Sequence, residues 1–449
     1  MSGTAPRSIF FGWKVVLTAF TVAMFTFGFG YYGPAVFLNV LHQQRGWPVS
    51  IIATVITVHF LVSAVLVTRL PEAHRRFGIA AVTEVGAVAL VVGMCGWSLA
   101  LSPWFLFVAA ILSGAGWAAT SGAAIIAMVS PWFERRRALA LGYALNGASV
   151  GGVLFAPLWV TLIAAIGFAP AVAVVGLATL ALLLPLTWRY LRPTPRSLGV
   201  APDGDPLQST WRAAVPVPHR PVRFVALLSN GQFTTLAIAF ALGMFAQVGV
   251  VAHLITRLAP LVGAVDAAIA ISLATGSAVV GRLLLGLLLG RADRRLIAAA
   301  NFAVQACGVA LLAFGSTILV LAPGCILFGL GIGSLLSLPP LIAQTEFAAG
   351  DVPRVVALVT AVNQAVFAFA PAVFGILREV SGAYTMPFLL AAVVQVIAGA
   401  VIVMGGRVIP RLDQPQPPTG QRRRGHHRFG DGVSLPDYRD GADTRARAG

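Results

Sequence analysis

Arg282 stands inside a long apolar run, nine residues before Arg291, or about 13 Å away along a helix. A charge at that depth costs about 2.5–3.5 kcal/mol on insertion scales, so some return for it is expected. The planar guanidinium suits a carboxylate gripped at two points. The blander reading is an arginine that snorkels to the interface or braces the next loop. His59 and His253 also fall inside apolar runs. Each could titrate near neutral pH and act as a coupling or ligand-orienting group, or could simply satisfy a hydrogen bond between helices. Asn146, Asn363, Gln247 and Tyr31 are neutral polar groups that could complete a substrate cavity, with Gln344 and Gln364 as weaker candidates. Polar side chains equally glue helices together in membranes, for about 0.6–2 kcal/mol, and Tyr31 with Tyr32 could belong to an interfacial aromatic belt.

Other chemistry finds no support. There is no nucleophile–base constellation, no metal-spaced cluster and no phosphate-cradling Gly-Lys-Ser/Thr loop, so the chain reads as a non-enzyme without cofactor or metal. Cys95, Cys307 and Cys325 all sit in apolar runs with no paired spacing, which argues against a disulfide framework. Glu84 and Asp266 lie at the ends of apolar runs and read as interfacial. Asp266 is sixteen residues from Arg282, about 24 Å along a helix, too far to pair with it.

The elements that must position these groups are membrane helices. The 449 residues are 58% hydrophobic and 10% charged, against roughly 25% charge in a soluble domain. Spanning the hydrocarbon takes about 20 apolar residues, and helices satisfy their own backbone groups in lipid. The sequence predicts an all-α membrane protein with spans at 14–40, 49–70, 79–101, 104–130, 138–166, 169–190, 223–256, 265–289, 296–316, 318–345, 354–378 and 386–407. They divide into an N-terminal six-helix half (1–190), a Pro- and Arg-rich central loop (191–222), a C-terminal six-helix half (223–407) and a disordered basic tail (408–449).

The net charge of +16 would suggest nucleic acid in a soluble protein. Here the charge lies in short loops and tails. With the N-terminus cytoplasmic, 27 of the 31 Lys and Arg fall in cytoplasmic segments, and only Arg45, Arg257 and Arg378 fall opposite. That asymmetry puts both termini in the cytoplasm of a cytoplasmic-membrane protein. It sets nucleic acid aside, while the basic tail could meet anionic lipid.

The two halves look repeated. Shifted by 217 residues, Arg137, Ala140, Leu141, Ala144, Asn146 and Ala148 fall on Arg354, Ala357, Leu358, Ala361, Asn363 and Ala365, and Glu134 falls on Asp351. Parallel repeats with a site between them near the midplane are a transporter architecture.

The segment Trp132-Phe133-Glu134-Arg135-Arg136-Arg137, followed by Ala140, Gly142, Ala144, Gly147 and Gly151, resembles the loop 4–5 and helix 5 pattern of monocarboxylate porters. These are a branch of the major facilitator superfamily that includes oxalate/formate antiporter relatives. Gly12-Trp13, Gly46-Trp47, Pro202-Asp203-Gly204-Asp205, Gly281-Arg282 with Gly286, Asp293-Arg294, and Gly382, Tyr384 and Phe388 are further matches. The resemblance implies the major facilitator fold, with twelve helices in two six-helix halves, and a substrate arginine at Arg282. Glu134 and Arg137, with Asp293 and Arg294, are expected to form a cytoplasmic latch. Two places depart from the pattern. Loop 2–3 (Leu70 to Gly78) keeps a basic pair but lacks the usual Asp, and Ala278 stands where the porter branch often has an acid four residues before the arginine.

Together these imply secondary transport of a small organic anion, a monocarboxylate, by alternating access, with proton coupling or exchange. Efflux of larger amphipathic compounds is the first rival, though helix 5 lacks the Gly-Pro pattern of drug exporters. A non-transporting membrane sensor is the second.

Overall fold

The computed structural model describes residues 10–204, 227–288, 293–348 and 351–407. The described residues all fall within one compact unit. The tail and the 205–222 part of the central loop lie outside the described residues.

Among the described residues, twelve helices are long and apolar enough to cross a membrane. They are α1 (Phe11–Arg45), α2 (Val49–Val67), α3 (Ile79–Leu99), α4 (Pro103–Trp132), α5 (Leu139–Ile166), α6 (Phe168–Tyr190), α7 (Gly231–Val262), α8 (Ala264–Leu285), α9 (Arg294–Phe314), α10 (Ile318–Glu346), α11 (Arg354–Ser381) and α12 (Thr385–Gly405). The face at which α1 begins is called the near face, and the opposite one the far face. Odd helices run from near to far, and even helices return.

The packing repeats with an offset of six. In the first set α1 packs on α5, α2 on α4, and α3 on both α4 and α6. In the second set α7 packs on α11, α8 on α10, and α9 on both α10 and α12. Small residues make the closest approaches possible. Gly147 and Gly151 on α5 lie against the carbonyl oxygens of Phe20 and Met24 on α1, where a Cβ would strike backbone.

Several spans are interrupted, for readable reasons. Pro34 cannot donate to the carbonyl four residues back and crowds it. Helix α1 therefore breaks at Tyr31 and Tyr32, whose amides both turn to the Phe27 carbonyl at 3.0 and 2.9 Å. Pro371 acts likewise on α11, which breaks at Ala368 and Phe369. Helix α10 breaks at Gly333. Helix α7 runs six residues beyond the expected end at 256, to Val262. Its Arg257, which a membrane end would normally release to water, instead donates to the carbonyls of Gly315 at 2.9 Å and Ala313 at 3.3 Å.

The two sets touch along α5–α8 and α2–α11, and where the outer part of α1 meets α7. At the far face the Ser50 amide donates to Glu379 Oε1 at 2.9 Å. Deeper, the Ala372 amide donates to Thr57 Oγ1 at 3.1 Å, and Ser272 Oγ to the Val153 carbonyl at 2.7 Å. Near mid-depth, Gln364 Nε2 donates to Ser63 Oγ at 2.9 Å, beside an edge-on contact of Phe60 with Phe367. The sets are thus bonded to each other from the far face to the middle of the bilayer.

Candidate functional site

Arg282 lies in the near half of α8, six residues before Leu288, where the described helix stops, and is half-buried. Its Nη1 donates to Asn146 Oδ1 on α5, across the boundary between the two sets. Its Nε points to the Gly333 carbonyl at the break of α10, at 3.4 Å. Gly333 is held to glycine by the backbone of α8, because a Cβ there would sit 2.6 Å from the Ala278 carbonyl oxygen, with Arg282 Nη2 next at 3.0 Å. The phenol of Tyr32, at the break of α1, lies within electrostatic range of the guanidinium. Tyr32 also closes over Gly152 of α5 beside Thr275 of α8. Four helices, α1 and α5 of one set with α8 and α10 of the other, therefore converge on this point.

The partners of Arg282 are all neutral. The ion pairs among the described residues are Glu72–Arg75, Arg135–Asp203, Arg192–Glu84 and Arg295–Glu346, and Arg282 belongs to none of them. Ala278, the place of the missing acid, is fully buried, and its carbonyl faces Gly333. The guanidinium is thus met by amide and carbonyl oxygens and by no carboxylate among the described residues.

The other expected site residues fall into three groups. Tyr31 and Gln247 face one another from α1 and α7. Tyr31 Oη and Gln247 Oε1 are both buried with no partner, and so is Asn363 Oδ1. Buried polar atoms are normally bonded, so these three are open valences for a ligand or water. Asn363 occupies the place on α11 that Asn146 holds on α5, but it does not reach Arg282. Its neighbour Gln364 is the one that crosses between the sets.

The two histidines differ. His253 is fully buried and both nitrogens are engaged, Nε2 with the Pro371 carbonyl at 2.9 Å and Nδ1 with Tyr384 Oη at 3.4 Å. It braces α7 against α11 and the start of α12. His59 Nδ1 meets Ser113 Oγ at 2.8 Å, and Trp97 Nε1 donates to the same oxygen. His59 Nε2 has no partner, and the ring lies beside the backbone of Gly30, the last residue of α1 before its break.

The expected latch residues have different partners. Glu134 and Arg137 do not pair with one another among the described residues. Arg137 Nε donates to the Phe133 carbonyl at 2.9 Å. The amides of Glu134, Arg135 and Arg136 all donate to the carboxylate of Asp203, at 3.1, 2.8 and 3.2 Å. Asp203 takes a left-handed backbone, φ 62°, and its side chain is only 3% exposed. Desolvation opposes its ionisation, but the three amides and Arg135 outweigh it and hold the carboxyl below its ordinary value. Asp293 caps α9 by accepting from the Arg295 and Leu296 amides. Arg294 donates to the Leu341 carbonyl. The buried pair on this side is Arg295 with Glu346, at 2.5 and 2.7 Å, and Arg295 also reaches Gln232, Thr235 and Ile402. Of these partners only Asp203 carried a sequence signal, the turn Pro202-Asp203-Gly204.

Twelve spans in two matched sets, with polar groups and an unpaired cation between them, define a multi-pass membrane transporter. The chain matches the Major Facilitator Superfamily over residues 18–371, and it belongs to that family. It is similar to monocarboxylate transporter 13 of Rattus norvegicus, 27% identical over 423 residues covering 91% of this chain and 90% of the relative. It is also similar to monocarboxylate transporter 13 of Bos taurus, 28% identical over 418 residues and covering 89% of each chain. In the fold alone it is similar to a mutant form of the nucleoside transporter NupG, with TM-score 0.66, 13% identity, and cover of 87% of this chain and 99% of that one.

Proposed function

We propose that this protein carries a small organic anion, a monocarboxylate, across the cytoplasmic membrane by alternating access, with both termini in the cytoplasm. The observation that carries the reading is Arg282, which has no acidic partner and sits where α5 and α8 of opposite sets meet. A carboxylate displaces Asn146 from the guanidinium and takes both prongs of the fork. Tyr31, Gln247 and Asn363, with their unpartnered polar atoms, complete the cavity for the remainder of the substrate. The printed names of the two relatives favour the same substrate class. On this reading the far side is the closed one, bonded from the far face to mid-bilayer, and the anion reaches Arg282 from the near, cytoplasmic side by parting the Arg282–Asn146 bond between the sets. Coupling is by a proton or by exchange of a second anion. His59 is the better proton acceptor of the two histidines, since its Nε2 is unoccupied.

The test is uptake of labelled lactate, pyruvate, formate and oxalate into proteoliposomes, wild type beside Arg282→Ala, with and without a pH gradient. Uptake that disappears in a folded Arg282→Ala protein supports the anion site, and dependence on the gradient adds proton coupling. No uptake of any acid under any gradient sinks the reading in favour of amphipathic efflux or ligand sensing.

A further inference from the structure

Two cavities lie away from Arg282, on the outer surface of the first set of helices. One, of about 570 Å³, sits at the near face between the short helix Leu70–Phe77, the start of α3, the end of α4 and the segment after α6; His74, Gly78, Trp132, Arg192 and Pro195 are among its walls. The other, of about 430 Å³, is a groove within the bilayer between α3, α4 and α6, lined by Val85, Val88, Val92, Leu112 and Leu184 with Glu84 at its near end. Glu84 and Val92 are eight residues apart, so the groove runs about 12 Å along α3. Residue Glu84 lines the groove and its partner Arg192 lines the cavity, the two meeting at 3.9 Å.

We infer that the two cavities together hold one anionic phospholipid, its phosphodiester in the near-face cavity and one acyl chain in the groove. The argument is complementarity along the length of a lipid. The groove is apolar and faces hydrocarbon: Val85, Val88, Val92 and Leu112 are all exposed on the helix bundle. The cavity opens at the depth of headgroups. There Arg192 lies over the Trp188 ring at 5.3 Å, tethered by Glu84, which also accepts from Thr187 Oγ1 at 3.5 Å. His74 Nε2 is buried with no partner and supplies a second hydrogen bond to a phosphate. The chain segments that supply its walls also carry Arg69, Arg75, Arg76, Arg189 and Arg196 within a few residues of the lining, against Glu72, which pairs with Arg75 at 2.5 Å, so a negative headgroup is preferred over a zwitterionic one. Burial lowers the pKa of His74, which keeps it a neutral hydrogen-bonding group rather than a competing charge.

The test is native mass spectrometry of the full chain, titrated with phosphatidylglycerol, phosphatidylcholine and sn-glycerol phosphate. One phosphatidylglycerol is expected to stay bound through delipidation. Arg192→Gln is expected to weaken it about tenfold, the loss of one charge-assisted hydrogen bond. Val88→Trp, which fills the groove from a lipid-exposed position, is expected to do the same while leaving the headgroup cavity intact. Equal retention of phosphatidylcholine, or equal binding of sn-glycerol phosphate without chains, overturns the proposal. In the wild type alone, phosphatidylglycerol with a diazirine at mid-chain is expected to label α3 between Val85 and Val92. Labelling confined to other helices overturns it without reference to any variant.

Discussion

The amide of Ser50, at the start of α2, donates to the carboxylate of Glu379, near the end of α11, at 2.9 Å across the far face. These residues are 329 positions apart and belong to different sets of helices. Opening the far face has to break this bond. Glu379→Ala is therefore expected to favour far-open conformations by about 1 kcal/mol, a roughly fivefold shift. Spin labels at Gln44→Cys and Ala383→Cys, in a background without the three native cysteines, read this as a larger population of long distances. An unchanged distance distribution would show that the far face is held by apolar packing alone.

Asn146→Asp places a carboxylate against Arg282. An internal counter-ion relieves the unpaired charge and competes with any external anion. The variant is expected to melt higher than wild type and to lose anion uptake, in the reverse order of most damaging substitutions. Arg282→Lys keeps the charge and loses the fork, so a rise in KM of about tenfold or more is expected with residual transport. Full transport by Asn146→Asp counts against Arg282 as the anion holder.

Asp203 titrates below the ordinary carboxylate range. Its folded pKa is depressed, so its contribution to stability is present above the unfolded value, near 3.9, and is lost as pH falls through the folded value. Asp203→Ala is expected to lower stability by about 1 kcal/mol at neutral pH, the size of a lost cap. The gap between the two melting curves should close as pH is lowered below about 4. A gap constant from pH 7 to pH 3 would mean the carboxylate's charge contributes nothing.

Arg295→Gln leaves Glu346, 16% exposed, without its cationic partner. Breaking a buried pair from one side costs about 3–5 kcal/mol, and three backbone or hydroxyl acceptors lose their donor as well. The variant is expected to lose its monodisperse peak on size exclusion after mild heating. The double change Arg295→Met with Glu346→Met is expected to recover part of the loss, since it leaves no lone charge.

His59→Gln and His253→Gln should separate by readout. Removing the free Nε2 of His59 is expected to abolish any pH-gradient dependence of uptake with folding intact. His253→Gln is expected to lower stability, because the Pro371 carbonyl loses its donor. Gradient-dependent uptake by His59→Gln would remove His59 as the coupling group.

The spans were legible because apolar length is a property of each segment by itself. The depth of Arg282 and the equivalence of Asn146 with Asn363 were legible for the same reason, from position and repeat. Contacts made by distant residues were not. Arg137 looked like one half of an ionic latch, yet the α4–α5 loop is held through its backbone amides, by an aspartate more than sixty residues later. Asp293 and Arg294 were expected in the latch, while the buried ion pair is made by Arg295, one residue on, with Glu346. The end of α7 was misjudged because Arg257 reads as a terminus until its acceptors on the next loop are known. The role of Gly333 depends on the Ala278 carbonyl of another helix, which no local pattern announces.

Arg282 rests on two neutral oxygens, and this has an electrical consequence for the cycle proposed above. The empty site carries one positive charge, and a site holding a monoanion carries none. A potential of 100 mV weights one elementary charge by about 2.3 kcal/mol for a full crossing. Voltage would therefore act on the empty return and leave the loaded passage alone. A carrier built this way swaps one anion for another without sensing the membrane potential, and feels it only when it must come back with nothing.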